Sequence, residues 1–402
     1  MLNNLMNNFF VWKSQIYVTQ MFYALLVASL YTYVVVVRAI LGLPSDFNEH
    51  AQVADSLLNG AKAPPHFLYH IVLILIHKIT GLSFINAGFV FVFFIVLATY
   101  MVAHKGIISA GALNKYLPGP AIIFLLLSHP IAILAPLDKH LYFGYIASNV
   151  YHNPTILLLK PIALLHFILI CELLSDSVPS NQTMKRVIML AFLTALSIVA
   201  KPSYIIVFLP ALLAFIMVAR FLLNRNISKQ GVILVLAIIG PAVLLLTWQY
   251  LWFYGGESTS YIGIDFFAVF KQISALWTLV PKLLLSVAFP ISVAFLLGCQ
   301  LVQRTEFLLS FFMFGISLIY SYALVDSVTN QGTYSGNFFW SAQIAHFILL
   351  YVCIKNYLMF LFSEKQRKWS VSLIPMGIGA CQLIFGLLWY YTNVNPTLWW
   401  QW

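Results

Sequence analysis

Charge is scarce in this chain. Only 8% of its 402 residues are Asp, Glu, Lys or Arg, against about 25% in a soluble globular domain. So few charges cannot cover a water-facing surface, which excludes a soluble fold. Long polar segments are also lacking: none exceeds about 25 residues, too short to bury a core of its own, so no separate soluble catalytic domain is expected. The four cysteines, Cys171, Cys299, Cys353 and Cys381, fall inside apolar runs without CxxC spacing, which argues against a zinc ribbon, a redox motif or a disulfide framework. The segment before the first long apolar run has no small-residue cleavage site, so the first helix is expected to stay in the protein.

What is abundant is apolar: 62% of residues are hydrophobic and 16% aromatic. They come in runs long enough to cross a hydrocarbon core. This predicts an all-α, polytopic transmembrane helical bundle, one integral-membrane domain over residues 1–402. About eleven spans (ten to thirteen) are expected, at 17–37, 84–103, 118–136, 155–174, 187–200, 203–223, 231–253, 279–302, 305–325, 337–361 and 371–391. Residues 66–80 are too short to span and carry His66, His70, His77 and Lys78, so they read as a helix lying against the membrane surface.

The formal net charge of +10 invites a nucleic-acid reading until the charges are sorted by side. With a cytoplasmic N-terminus, 13 of the 21 basic residues and 4 of the 11 acids fall inside, net +9, which leaves +1 outside. That is the positive-inside asymmetry, so the excess is topology and no nucleic-acid partner is implied. The polar loops 38–83, 137–154, 254–278 and 326–336 then lie outside, while the inner connections are short and basic, without a Gly-rich or acidic-pair motif for a nucleotide-sugar. Chemistry is expected at the extracytoplasmic face of a cell inner (plasma) membrane.

The first outer loop opens Pro44-Ser45-Asp46-Phe47-Asn48-Glu49-His50. Phe47, Ala51, Ala54 and Leu58 share one helical face, which predicts an amphipathic surface helix. Asp46 and Glu49 have capping-box spacing, and Asp46 is equally a candidate general base with Glu49 and His50 beside it. The second outer loop holds Tyr142, Tyr145, Asn149, Tyr151, His152 and Asn153, neutral hydroxyl, amide and imidazole groups of the kind that grip a sugar. An interfacial aromatic belt accounts for the tyrosines alone. Lys201, in Ala-Lys-Pro-Ser-Tyr at the junction of two spans, is a candidate for holding a lipid phosphate; Arg38, Lys139, Lys160 and Lys282 compete for that role. Asn337 lies in a late loop that runs into Trp340 and is either a substrate contact or part of a solvated loop. His66 and His70, at i and i+4, have chelating spacing, but no HExxH or acidic partner accompanies them. Interfacial polarity or sugar contact is the preferred reading, and no metal is expected.

In the order of these features the chain resembles the GT-C superfamily, integral-membrane glycosyltransferases that take sugars from polyprenyl-phosphate carriers. The resemblance rests on Asp46 just after a first span, a surface helix introduced by Pro64-Pro65-His66-Phe67-Leu68-Tyr69-His70, a basic turn His104-Lys105 ending the next span, and a second polar outer loop at 138–154. It covers about residues 1–223, with 224–402 a more variable half. It implies that Asp46, with Glu49 as fallback, is the catalytic base, or a metal ligand as in some members, and that Lys201 binds the carrier phosphate. His50, His66, His70, Tyr145, Asn149, His152, Asn153 and Asn337 complete the expected substrate-binding set. The paired Asp-Asp or Glu-Asp of some members is missing. The expected partners are a polyprenyl-phosphate-linked sugar, a glycan or lipid-linked acceptor, and membrane lipid. Two alternatives remain: an O-antigen or exopolysaccharide polymerase, whose late outer loop would typically carry arginines that 326–336 lacks, and a flippase, whose signature would be charges and broken helices near the bilayer midplane.

Overall fold

The computed structural model describes residues 2–43, 45–109, 117–138, 140–174, 180–223, 229–254, 260–273, 275–328, 334–362 and 369–395. Helices dominate them. A long α1 (Leu2–Ile40) is followed by two shorter helices, α2 (Asp46–Leu58) and α3 (Leu68–Thr80), and then by α4 (Phe84–Ser109), α5 (Pro118–Leu127) and a turn, α6 (Ala135–Asp138). Next come α7 (Pro154–Leu174), α8 (Ser180–Ala200), α9 (Ile205–Phe221), α10 (Lys229–Tyr254) and a short α11 (Ala268–Ile273). The last part holds α12 (Leu279–Ser286), α13 (Ala288–Leu297), a turn α14 (Cys299–Val302), α15 (Thr305–Ala323), α16 (Phe339–Phe362) and α17 (Trp369–Val394).

Each expected apolar run holds a helix, though the runs 118–136 and 279–302 are interrupted. Among the described residues, six helices are long and apolar enough to cross a membrane: 17–40 of α1, α4, α7, α15, α16 and 372–394 of α17. A seventh span results if α12 and α13, which meet at 52°, are one broken crossing. The chain is a multi-pass membrane protein, and its outer faces expose large apolar side chains such as Phe94, Phe192 and Phe295, as lipid contact requires. α7 and α16 form the centre. In their apolar windows 72% and 78% of residues are buried, against 33–44% in the other four.

The interruption at 118–136 has a physical cause. Pro130 disfavours a helical residue before it, and α5 stops at Leu127. Irregular backbone inside a bundle is tolerated only where protein groups satisfy its carbonyls. Here Asn149 Nδ2 donates to the carbonyls of Leu125 and Ser128, both at 2.9 Å, and the Tyr31 hydroxyl donates to that of Leu126 at 2.8 Å. α17 closes in so tightly that a Cβ on Gly386 would strike the Leu127 carbonyl. Gln382, from α17, accepts on its backbone from His129 N at 3.1 Å, and its Nε2 donates to the Ser286 carbonyl beside the α12/α13 bend at 3.0 Å. The two breaks therefore share one side chain's neighbourhood.

To the expected helical bundle the structure adds a small antiparallel sheet of order β1-β2-β3, with β1 Ser260–Ile264, β2 Leu324–Val328 and β3 Tyr334–Ser335. Ile262 pairs with Asp326, and Asp326 with Ser335. Residues rich in β-branched types, Leu-Val-Asp-Ser-Val and Ser-Tyr-Ile-Gly-Ile, favour the pleat. The sheet joins the two late loops, which read from sequence as separate, and leads into the start of α16.

Candidate active site at the Asp46 end

Ser45, extended and just before α2, is the N-cap: its Oγ lies 3.4 Å from Phe47 N, which donates to it. The capping role therefore belongs to Ser45 and not to an Asp46–Glu49 box, because Asp46 is already the first helical residue. Glu49 is exposed. Phe47 and Ala54 of the expected apolar face are buried, whereas Leu58 is exposed.

The Asp46 side chain turns toward the second polar loop. Its backbone N donates to the His152 carbonyl at 3.0 Å, and Asn153 Nδ2 donates to its Oδ2 at 2.6 Å. The Asn153 Oδ1 accepts from the Thr155 hydroxyl at 2.8 Å and from Ile156 N at 3.0 Å, so this side chain also caps the first turn of α7. Thr155 Oγ1 in turn accepts from Lys201 Nζ at 3.1 Å. Lys201, in the turn between α8 and α9, is 7% exposed, and its ammonium lies 4.8 Å from the Trp340 ring centroid. His152 is 5.6 Å from Trp340 and 5.4 Å from Tyr142, ring centre to ring centre. Residues at 46, 153, 155, 201 and 340 thus form one polar site at one end of the bundle.

The histidines of the first loop stand beside it. His50 Nδ1 and His70 Nε2 share a hydrogen bond of 2.9 Å, and the His66 ring is 6.5 Å from that of His50. The loop carrying Pro64 and Pro65 is held to α10 by Gln249 Nε2, which donates to the Pro65 carbonyl at 2.6 Å. Among the described residues no group of three or more His, Cys, Asp or Glu is arranged to hold a metal ion.

Burial raises the Asp46 carboxyl above its ordinary value; the Asn153 hydrogen bond and the Lys201 charge oppose this, and Glu49 adds to it. Burial lowers the Lys201 ammonium to about 8, with Asp46 opposing. His50 is pushed down to about 3 by burial and then by His70 and Lys201. His66 falls to about 3, by burial and then Lys201 and the other two imidazoles. His70 falls to about 4 by burial, and His152 to about 3 by burial, Arg38 and Lys201. At neutral pH the four imidazoles beside Asp46 and Lys201 are therefore neutral and can orient hydroxyl groups without adding charge.

This has a measurable consequence for stability. Unfolded histidines protonate near 6.5, but these four resist protonation until about 3 to 4. Between those values the unfolded chain binds more protons, so folding stability is intact above about pH 6.5 and falls with acidification. The limit is about 1.4 kcal/mol per histidine per pH unit, less for the half-exposed rings. Melting temperature in detergent is expected to fall steadily from pH 6.5 to pH 4.5, and a variant with His50→Asn and His70→Asn is expected to have a flatter profile.

Other expected site residues lie elsewhere. Asn149 is fully buried in a polar knot: besides the carbonyls at the end of α5, its Oδ1 accepts from Lys160 Nζ at 2.9 Å and lies 3.0 Å from the Tyr31 hydroxyl, whose one proton it shares with the Leu126 carbonyl. Tyr145 is fully buried, its hydroxyl accepts from Leu134 N at 3.2 Å, and Lys282 Nζ sits 5.1 Å from its ring centroid. Neither is brought to Asp46. Asn337 donates to Asp326 Oδ2 at 2.9 Å, tying the late loop to the sheet. Of the competing cations, Arg38 is fully buried and donates to Asn393 Oδ1 on α17, Lys282 donates to the Phe143 carbonyl at 2.9 Å, and Lys139 lies outside the described residues.

The sequence left the loop that ends at Trp340 between a substrate contact and a solvated loop, and gave no sign of Thr155. Only the packing of α16 against α7 reveals their part in the site. No protein-family model matches this chain, and no curated protein is similar to it.

Proposed function

We propose that the protein is a glycosyltransferase that moves one sugar from a polyprenyl-phosphate donor to a lipid-linked or cell-envelope acceptor. The observation that carries this reading is the convergence of Asp46 and Lys201, a half-buried carboxylate and a buried ammonium, linked through Asn153 and Thr155 without direct contact. Asp46 takes the proton of the acceptor hydroxyl as its oxygen attacks the anomeric carbon. The bond from that carbon to the carrier phosphate breaks, and Lys201 offsets the charge left on the departing phosphate. The neutral imidazoles of His50, His66, His70 and His152 are suited to sugar hydroxyls, and Trp340 to the apolar face of a sugar ring.

In this reading the chain makes eleven crossings, with the N-terminus cytoplasmic, α2 and α3 along the outer surface of the inner membrane, and the Asp46 site extracytoplasmic. The test is a mass-spectrometric comparison of envelope glycans with and without the gene, paired with transfer by purified protein from a polyprenyl-phosphate sugar. One missing sugar and transfer in vitro are expected. Shortened chains would point to a polymerase instead. A second reading, a flippase for a lipid-linked saccharide, draws on the breaks at α5 and α12/α13 that meet at Gln382, since discontinuous helices are common in transporters. Accumulation of intact precursor, with no transfer in vitro, would select it.

A further inference from the structure

At the other end of the bundle lies a cavity of about 530 Å³, within the usual range for small-molecule sites. α7 carries Thr155 near the Asp46 site and Glu172 at this cavity, which at 1.5 Å per residue places the two about 25 Å apart. Two ion pairs flank it, Arg186 with Glu172 and Lys355 with Glu306; Asn356 Nδ2 also donates to Glu306 at 3.0 Å. Each carboxylate thus has its cation. Arg304, also in the lining, is exposed, forms no ion pair among the described residues, and has only a long 3.9 Å contact to Met359 sulfur. The cavity wall is therefore net positive by one charge.

Arg304 is also the N-cap residue of the 19-residue α15, and no side chain caps that terminus. The first amides of α15, from Thr305 and Glu306 in the cavity wall, are the orphan donors of a helix start, which favour an anion. An independent feature points the same way. Tyr351, 1% exposed, lines the cavity, and its buried hydroxyl has no hydrogen-bond partner. A Cβ on Gly106 would collide with that hydroxyl, so the glycine leaves room for it. An unsatisfied buried hydroxyl is costly to a fold, a cost a bound acceptor would remove.

We infer that this cavity binds a phosphate group carrying an organic substituent, held by the start of α15, the Arg304 guanidinium and the Tyr351 hydroxyl. Donors from three elements of one lining suit a tetrahedral oxyanion, and guanidinium is the preferred partner of phosphate. The volume exceeds what phosphate alone fills, and Phe167, Ile168 and Met359 add an apolar wall. The ligand is either a phospholipid headgroup or a soluble phosphate ester.

The test uses the full-length chain in neutral detergent after removal of bound lipid. Glycerol 3-phosphate, short-chain phosphatidylglycerol and short-chain diacylglycerol are titrated separately, and binding is read by native mass spectrometry and by the rise in melting temperature. Binding of glycerol 3-phosphate identifies a soluble ester, and binding of phosphatidylglycerol alone identifies a headgroup. In either case Arg304→Gln is expected to weaken binding about 10-fold or more, and Tyr351→Phe about 5-fold. Both variants should keep the ligand-free melting temperature, since Arg304 is exposed and Tyr351→Phe removes only an unpaired hydroxyl. The inference fails if neither phosphate compound binds, if diacylglycerol binds as well as phosphatidylglycerol, or if both folded variants bind like wild type.

Discussion

Asp46→Asn is expected to lower sugar transfer by about 10²–10⁴-fold, the usual contribution of a positioned general base. The substitution is nearly isosteric, and an amide oxygen can still accept from Asn153 Nδ2, which donates to Asp46 Oδ2 in the wild type. Melting temperature and donor binding should therefore change little, so the loss should appear in kcat. The pH profile adds a second check. Because burial raises the Asp46 carboxyl above its ordinary value, wild-type activity should fall on acidification at a pH above that of a free aspartate, as the base becomes protonated. The four neutral histidines should add no inflection near 6.5. Full activity in the variant would sink the assignment.

Asn149→Leu is expected to be the most destabilising single change named here, at about 3–5 kcal/mol. It strips the carboxamide from the buried Lys160 ammonium and the Tyr31 hydroxyl and leaves two carbonyls at the end of α5 without their donor. The dominant part is the uncompensated cation. Adding Lys160→Met to Asn149→Leu should therefore recover much of the loss, as replacement of a whole buried polar group by apolar side chains often does. Unfolding in mixed micelles measures both. A loss below about 1 kcal/mol for the single change would mean that water reaches Lys160.

These two residues mark how far the sequence could be read. Helix positions followed from apolar runs, because lipid contact and bundle packing both demand continuous hydrophobicity. The break within 118–136 did not follow: nothing local to it says that the Asn149 and Tyr31 side chains will support an end to α5 after Leu127. Polar residues of the second loop looked alike as amides and hydroxyls, yet Asn153 faces Asp46 while Asn149, four residues earlier, faces the interior. Asp46, His50, His66, His70, His152, Asn153 and Lys201 are neighbours in space, and all were distinguishable as polar groups near the ends of apolar runs. Trp340 and Thr155 were not, since an interfacial tryptophan and a helix-start threonine are ordinary until α16 is packed on α7. The sheet pairs strands some 60 residues apart, Ile262 with Asp326, and short-range patterning carries no record of such pairing.

The row from Lys201 through Thr155 and Asn153 to Asp46 has a direction. Each member donates toward the carboxylate and accepts from the side of the ammonium. Reversing it would require turning the Asn153 amide and giving up its bond to Ile156 N, so the backbone of α7 acts as a ratchet on the polarity of the row. Aligned dipoles reinforce one another in a medium of low dielectric constant. Cation and anion therefore sense each other through two neutral side chains, like the two terminals of a small battery.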